Sequence, residues 1–251
     1  MTPSGARRHV ARIARGAADM TVAHALRAAA FGLPAPDRDP FDAACIHILI
    51  EDRRAGRAVG CFRMLPLASG AEVGRSYSAT FYDLAQLGRR AGPMTELGRF
   101  CVQPGARDPD ILRAAWGAIT AHVDATGVQM LFGCTSFRGT DPAPYVGAFA
   151  LLAQHHLAPP DWAPQRRAPR TVTLAPGQGA IDTRRAVQAL PPLLRSYLAM
   201  GGKVSDHAVI DPVMNTLHVF TGVDIAAIPA ARKRVLRADA AMPAGAPDSE
   251  A

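Results

Sequence analysis

One short apolar segment that contains two charged residues places the strongest constraint on how this chain folds. Residues 95–104 read TELGRFCVQP, a largely apolar run typical of a buried β-strand that ends at Pro104, because proline removes a ladder donor. Glu96 and Arg99 lie within this run, and burying a charge is costly unless it is paired or kept near water. Gly98 between them indicates a β-bulge or a close approach by another backbone or a ligand. We therefore expect the functional site to be built around this strand.

A helix start follows this strand almost at once. The residues Asp108-Pro109-Asp110 put an aspartate at the N-cap and a proline at the first helical position. Backbone N–H groups at a helix N-terminus lack intrahelical partners and can bind a polar or anionic group. The loop at residues 103–108 is therefore a predicted ligand-binding segment.

The hydrophobic pattern of the whole chain predicts a mixed α/β domain. Besides the Glu96 strand, strands are predicted at residues 10–15, 44–51, 58–65, 128–134, 171–174 and 216–221. Helices are predicted at residues 19–30, 109–125, 142–156, 182–200 and 230–240, with a break at Pro191-Pro192. Tyr77, Phe81, Leu84 and Gly88 have helical spacing, and their segment is predicted to form one wall of a substrate pocket.

The composition is that of a globular protein, with 49% hydrophobic and 20% charged residues. No apolar run approaches the roughly 20 residues that a membrane-spanning helix needs. The cysteines lie in apolar, strand-like runs without the spacing of a metal site, which predicts free thiols in a reducing compartment. These cysteines are Cys45, Cys61, Cys101 and Cys134.

The net charge of +7 indicates an acidic partner. Basic residues cluster near the C-terminus, where a predicted helix contains Arg232, Lys233, Arg234 and Arg237. An acidic protein and an anionic bilayer are both candidate partners for this helix, and a solvated surface without a partner remains the alternative. Trp116 and Trp162 are not interleaved with basic residues and no nucleic-acid-binding motif is present, so we expect no nucleic-acid partner.

The Glu96 strand and two later segments of the chain resemble a known family. The residues ELGRFCV at 96–102, the strand at 128–134 and TSFRGTDP at 135–142 are similar to the GNAT-type acyl-ACP-dependent ornithine N-acyltransferases, sometimes labelled hemolysin-like. The resemblance runs from about residue 9 to about residue 237 and is most specific around residues 132–134. The chain is more distantly similar to the acyl-homoserine-lactone synthases through Arg27, Phe31, Asp39, Asp42, Gly60, Arg63, Glu96 and Arg99. A tryptophan expected soon after Phe31 is replaced by Leu33-Pro34, which argues against that second activity.

The resemblance implies an α/β GNAT-like acyltransferase fold with a mixed central sheet flanked by helices. It implies a single domain over residues 1–241, with a surface excursion and helix at 158–202 and a disordered tail at 242–251. It also implies a cytoplasmic protein, or one bound peripherally to the inner face of the cytoplasmic membrane.

The resemblance also assigns roles to individual residues. Glu96 is the predicted general base, because forming an amide from a thioester requires a group that accepts the proton of the amine. Substrate-binding roles fall on Arg99, Arg63, Arg27, Ser136 and Asp141. Contacts to the acyl-ACP pantetheine arm fall on Val102, Gln103 and Arg107. Two alternatives stay open: Glu96 forms a structural ion pair with Arg99 or Arg63, and Arg99 either binds an acidic substrate group or keeps Glu96 ionised.

The predicted reaction is transfer of a 3-hydroxyacyl chain from acyl carrier protein to the α-amino group of L-ornithine, which gives lyso-ornithine lipid. The acyl donor is the phosphopantetheine thioester of the carrier protein, and no bound cofactor or metal is predicted. The loop at 103–108 contains one glycine rather than the full signature that binds acetyl-CoA, which favours a carrier-protein donor. The adjacent residues Ser205-Asp206-His207 are predicted to form a loop contact rather than a catalytic triad.

Two alternatives to this reaction remain. The first is N-acylation of another amino acid such as glutamine, or an autoinducer-synthase-like activity. The second is a non-catalytic, membrane-associating hemolysin-like protein. The Glu96 strand argues against the second alternative, because a binding module does not need an internal carboxylate.

Overall fold

The computed structural model describes residues 7–106, 108–176 and 181–241. The chain divides into two compact units, unit 1 (Met1–Met64, Arg99–Thr126 and Ala230–Ala251) and unit 2 (Leu65–Gly98 and Gly127–Pro229). The predicted tail at 242–251 lies outside the described residues, and the prediction of a single domain remains a prediction.

The described chain contains ten strands and six α-helices. The strands are β1 (His9–Ile13), β2 (Ile46–Asp52), β3 (Arg57–Leu67), β4 (Tyr82–Asp83), β5 (Met94–Val102), β6 (Met130–Arg138), β7 (Gln165–Arg166), β8 (Thr171–Thr173), β9 (Lys203–Asp211) and β10 (Thr216–Asp224). The helices are α1 (Gly16–Phe31), α2 (Pro109–Thr126), α3 (Val146–His155), α4 (Thr183–Ala189), α5 (Pro192–Ala199) and α6 (Ala230–Ala241).

Unit 1 contains the strand order β1-β2-β3-β5, together with α1, α2 and α6. The first three strands pair antiparallel, and α2 packs against β1 and α6. A small apolar cluster lies between α1 and the strands, where Ala23 meets Leu49, Cys61 and Cys101. The α2 helix begins as predicted, because the Asp108 side chain accepts the N–H of Asp110 at 2.9 Å.

Unit 2 contains the strand order β5-β6-β10-β9-β8, in which β5 and β6 are parallel and the other pairs are antiparallel. Side chains alternate across a strand, so one face of this sheet presents Phe137, Leu217 and Val219. These residues pack with Leu152 and Leu194 from α3 and α5 in the main apolar cluster of the unit. The opposite face carries Glu96.

Two predictions about elements of unit 2 were wrong. The segment with helical spacing at residues 77–88 forms short 3₁₀ turns (Ser78–Thr80 and Leu87–Arg89) around β4, rather than an α-helix. The residues Ser205-Asp206-His207 lie in strand β9, which the sequence analysis missed, rather than in a loop. They form a β-bulge in which Ser205 Oγ accepts the N–H of Phe220 at 3.1 Å and donates to the backbone carbonyl of His207 at 2.6 Å.

Candidate active site

The Glu96 carboxylate in unit 2 is buried and receives three hydrogen bonds from one short segment. The backbone N–H of Tyr77 donates to Oε2 at 2.9 Å, and the backbone N–H of Ser78 donates to Oε1 at 2.7 Å. The hydroxyl of Ser78 donates to the same Oε1 at 2.6 Å. Only 5% of Glu96 is exposed to solvent. Donors of this kind stabilise the ionised carboxylate where water does not reach it.

Pairing within the sheet determines which side chains share a face with Glu96. Glu96 pairs with Phe132 of β6, and Cys134 of β6 pairs with Phe220 of β10. Directly paired residues project on the same face, so all four side chains point to one side of the sheet. The rings of Phe132 and Phe220 stack at 5.7 Å between centroids. The base candidate therefore lies beside an apolar aromatic surface.

The ladder between β5 and β6 is short. It comprises three residue pairs, from Met94 with Met130 to Glu96 with Phe132. Immediately beyond it, Gly133 approaches the Leu97 carbonyl so closely that a Cβ atom would collide with the oxygen. Within the described part of unit 2, residues 135–138 of β6 pair with β10 alone. The other edge of residues 135–138 therefore has no strand partner within the described part of unit 2, and its backbone groups can pair with another extended chain.

The charge of Glu96 affects the pKa of Tyr197 in α5. Its side chain is fully buried, and burial together with the negative charge of Glu96 raises the pKa of Tyr197 above its ordinary value. The phenol therefore stays protonated at neutral pH.

Three guanidinium groups of unit 1 form a cluster with three carboxylates. Arg27 donates to Asp37 at 2.7 Å and to Asp42 at 2.8 Å. Arg63 contacts Asp39 at 2.9 Å and Asp42 at 2.6 Å. Arg99 contacts Asp37 at 2.8 Å and Asp39 at 2.7 Å. We call these six residues the charge cluster: Arg27, Arg63, Arg99, Asp37, Asp39 and Asp42.

Arginine partners lower the pKa of two acids of the charge cluster, Asp39 and Asp42. Burial by itself would raise the pKa of Asp42, but hydrogen bonds and attraction from Arg27 and Arg63 outweigh it and hold that pKa well below its usual range. Arg99 has a backbone φ of 52°, which is uncommon for a residue other than glycine. The sequence predicted a bulge or a close approach at Gly98, and this positive φ occurs one residue later.

The loop before α2 lines a cavity of about 390 Å³ in unit 1. Gln103 lies in its wall, and its backbone N–H donates to the Val59 carbonyl at 2.8 Å. Arg8, Asp52 and Asp108 also line the cavity, and Arg8 contacts Asp52 at 2.6 Å.

The comparisons with known proteins agree with this architecture. An acetyltransferase (GNAT) domain model matches residues 25–117. The L-ornithine N(alpha)-acyltransferase of Rhodobacter capsulatus is 33% identical over 234 residues, which cover 86% of this chain and 90% of that protein. The chain belongs to the L-ornithine N(alpha)-acyltransferase family.

Two solved structures were also found by similarity of fold. The apo form of TofI aligns with a TM-score of 0.51 and 16% identity, over 93% of this chain and 99% of that chain. The AHL synthase LasI aligns with a TM-score of 0.44 and 14% identity, over 88% of this chain and 91% of that chain.

The family confirms several predictions from the sequence. The chain is an acyltransferase with a GNAT-like fold, and the resemblance to ornithine N-acyltransferases is correct. The two units each contain part of a mixed parallel and antiparallel strand arrangement with helices packed against it.

The predicted site residues of this acyltransferase fall at several places. Glu96 lies in unit 2, and Arg27, Arg63 and Arg99 lie together in the charge cluster of unit 1. Ser136 is exposed on β6, and Asp141 is exposed just before a 3₁₀ turn, where its side chain accepts the N–H of Ala143 at 2.9 Å. Val102 is half-buried at the end of β5, and Arg107 lies outside the described residues. All of these roles remain predictions.

Sequence analysis missed Ser78 and Asp37, and it placed Tyr77 in a predicted pocket wall without predicting its hydrogen bond to Glu96. Two of the donors on Glu96 are backbone N–H groups, which have no sequence signal. The sequence did contain a signal for Asp37, because an acid two residues before Asp39 in the same loop can reach the same arginines.

Metal-binding clusters and membrane-spanning helices are both absent from the described residues. No group of three or more His, Cys, Asp or Glu side chains there could hold a metal ion. None of the helices between residues 7 and 241 that are described is both long enough and apolar enough to cross a membrane.

Proposed function

We propose that this chain transfers a 3-hydroxyacyl group from acyl carrier protein to the α-amino group of L-ornithine and so forms lyso-ornithine lipid. One observation supports this most: a buried carboxylate, Glu96, receives three hydrogen bonds where the β5–β6 ladder ends, in a chain of the L-ornithine N(alpha)-acyltransferase family. The relatives' name supports ornithine as the acceptor, and the resemblance supports the 3-hydroxyacyl chain and the carrier protein.

In the proposed mechanism Glu96 acts as the general base. The neutral α-amino nitrogen attacks the thioester carbonyl, and Glu96 accepts the proton that the nitrogen loses. The tetrahedral oxyanion then collapses, the C–S bond breaks, and the pantetheine thiolate leaves and takes up a proton. A carboxylate that hydrogen bonds hold in one orientation suits this role, because little reorganisation is needed during the reaction.

We propose direct attack by the amine, and two of the four cysteines are unsuited to form an acyl-enzyme. Cys61 and Cys101 are buried with their sulfur atoms 3.4 Å apart, and the hydrogen bond to Cys101 together with burial raises the pKa of Cys61. A thiol in such surroundings is a poor nucleophile.

The proposed path of the pantetheine arm runs along residues 135–138 of β6, on the edge away from β10. The arm contains two amide groups, which can hydrogen-bond to a strand edge as an added strand does. Val102, Gln103 and Arg107 are proposed to contact the same donor near the α2 N-terminus. The cavity there is lined by Arg8 and Arg57 as well as by Asp52 and Asp108, so its acidic and basic side chains balance.

The proposed acceptor-binding residues are Arg27, Arg63, Arg99, Ser136 and Asp141. Ornithine carries both carboxylate and ammonium groups, and the charge cluster alternates guanidinium and carboxylate groups. Such an arrangement suits an amino acid better than a purely anionic or cationic ligand.

A purified-enzyme assay tests this proposal. The protein is incubated with 3-hydroxyacyl-ACP or 3-hydroxyacyl-CoA and with ornithine, glutamine or S-adenosylmethionine, and products are measured by mass spectrometry. We expect N-acylated ornithine and free holo-ACP, with higher kcat/KM for the carrier-protein donor. Preference for another acceptor would overturn the ornithine assignment, and thioester loss at background with all acceptors would overturn the reaction.

A further inference from the structure

One side chain among the donors on Glu96 has no role in the proposed reaction. Ser78 is completely buried, and its hydroxyl oxygen lies 2.6 Å from Oε1 of Glu96. Its backbone N–H reaches the same oxygen at 2.7 Å. One residue thus supplies two of the three donors that the carboxylate receives from this segment.

The direction of the Ser78 hydroxyl is fixed by its surroundings. An ionised carboxylate only accepts hydrogen bonds, so the single hydroxyl proton of Ser78 points to Glu96. Cys134 Sγ lies 3.5 Å from the same Ser78 oxygen, where its S–H can donate to a lone pair of that oxygen. The hydroxyl therefore has one orientation rather than three.

The turn that carries Ser78 is itself held in place. Ser76 Oγ donates to the Val73 carbonyl at 2.7 Å and accepts the N–H of Ala79 at 3.2 Å. The Thr80 hydroxyl donates to the Tyr77 carbonyl at 2.6 Å. Ser76 is as deeply buried as Ser78 but makes these contacts to the backbone of its own turn.

We propose that Ser78 is a positioning residue, whose hydroxyl fixes the rotamer of the Glu96 carboxylate and favours its ionised form. This role rests on the proposed function, in which Glu96 accepts the proton of the attacking amine. A general base works only when its oxygen is within hydrogen-bond reach of that proton, so a loosened carboxylate slows the chemical step more than it weakens binding.

A titration of Glu96 tests the inference without relying on the reaction. The chain has four glutamates, Glu51, Glu72, Glu96 and Glu250, so protein labelled with 13C at the glutamate carboxyl gives four signals. The signal missing from Glu96→Gln identifies Glu96. In Ser78→Ala the pKa of this carboxyl should be about one unit higher than in the unmodified protein, because a donor to the charged form is lost. In Ser196→Ala, a control that removes a serine hydroxyl bonded to the Pro192 carbonyl in α5, it should not move.

Kinetics then separate positioning from folding. Ser78→Ala should lower kcat about tenfold and leave KM for the acyl donor within about twofold. Ser78→Cys keeps the volume and replaces the hydroxyl by a weak donor, so it should fold well and share both changes. A normal Glu96 titration and normal kcat in either folded variant would overturn the inference. If Glu96→Gln retains full activity while Ser78→Ala still moves the titration, the proposed role of Glu96 fails and the hydrogen bond stands.

Discussion

At the scale of single residues, the main question is whether Glu96 acts on a substrate or anchors its neighbours. Its carboxylate binds the turn that contains Tyr77 and Ser78, and an anchor of this kind would be buried and hydrogen-bonded in the same way. Burial alone does not separate the two roles. The two roles are separated by a substitution that keeps the shape of the side chain and removes its ability to accept a proton.

We expect Glu96→Gln to lower kcat by roughly 10²–10⁴-fold, because an amide cannot act as the base. The change also puts an NH₂ group next to a backbone or hydroxyl donor, which should cost about 1–3 kcal/mol of unfolding free energy. Steady-state kinetics and thermal unfolding measure the two effects. Glu72→Gln is the matched control, since Glu72 accepts a backbone N–H from Ala68 in a more exposed turn. A folded Glu96→Gln protein with nearly normal turnover would identify Glu96 as an anchor only.

Single residues also show how far sequence reasoning reaches. The residue pattern left Glu96 between a general base and a structural ion pair, and the family resemblance favoured the base. The resemblance also assigned substrate contacts to Arg27, Arg63 and Arg99, and the structure pairs each of these arginines with aspartates. Their partners lie 10 to 62 residues away in the chain, and pairing at such distances depends on the fold rather than on any local pattern.

At the scale of elements, β5 and β6 determine where the site opens. Their parallel ladder ends directly after Glu96, and Gly133 occupies the next position against the Leu97 carbonyl. The family resemblance is most specific at residues 132–134, and the glycine there has a physical reason. Only glycine permits the close approach of residue 133 to the Leu97 carbonyl.

We expect Gly133→Ala to lower the free energy of unfolding by about 1–3 kcal/mol and to reduce activity, because a Cβ atom must push β6 away from β5. Gly147→Ala in α3 is the matched control, since the nearest atom to its new methyl group is the Ala186 side chain at 3.9 Å. The control should be neutral or stabilise by up to about 1 kcal/mol. Denaturant unfolding measures both, and equal stability of the two variants would contradict the close approach.

Elements also differed in how well the sequence predicted them. The starts of α2 and α4 were predicted closely, because Asp108 and Asp182 cap them by local hydrogen bonds. The starts predicted from Asp19 and Asp141 were wrong, since α1 begins at Gly16 and a 3₁₀ turn precedes α3, which begins at Val146. Strand β9 was missed because its bulge at residues 205–207 interrupts the alternation of apolar and polar residues. The helical spacing of residues 77–88 was misleading, since of the four residues with that spacing only Leu84 is buried, and the segment forms separate 3₁₀ turns.

At the scale of the molecule, the chain carries a net charge of +7, and its C-terminal helix is basic. Arg237 of α6 binds Asp124 of α2, and Leu236 is buried, so the helix is fixed within unit 1. Arg234 and Val235 are exposed, whereas Arg232 and Lys233 are half-buried. The exposed part is where an acidic carrier protein or an anionic bilayer would meet this helix.

We expect that replacing Arg232, Lys233 and Arg234 together by Gln raises KM for acyl-ACP and flattens its dependence on salt, with kcat little changed. Charge attraction at a surface is screened over about 10 Å at 0.1 M salt, so it acts mainly on the rate of encounter. Arg234→Gln alone should produce the same effects more weakly, because Arg234 is exposed and its loss disturbs no packing. Arg195→Gln on α5 is the control, an exposed arginine on the other unit.

Binding to vesicles containing anionic lipid distinguishes the two partners of α6. If the helix meets a bilayer, the triple variant should bind such vesicles less tightly than the unmodified protein and than Arg195→Gln, since each basic residue near an anionic surface contributes about 1 kcal/mol. If it meets only the carrier protein, KM for acyl-ACP changes while vesicle binding does not. Unaltered KM, salt response and vesicle binding in the triple variant would make α6 a solvated surface without a binding role.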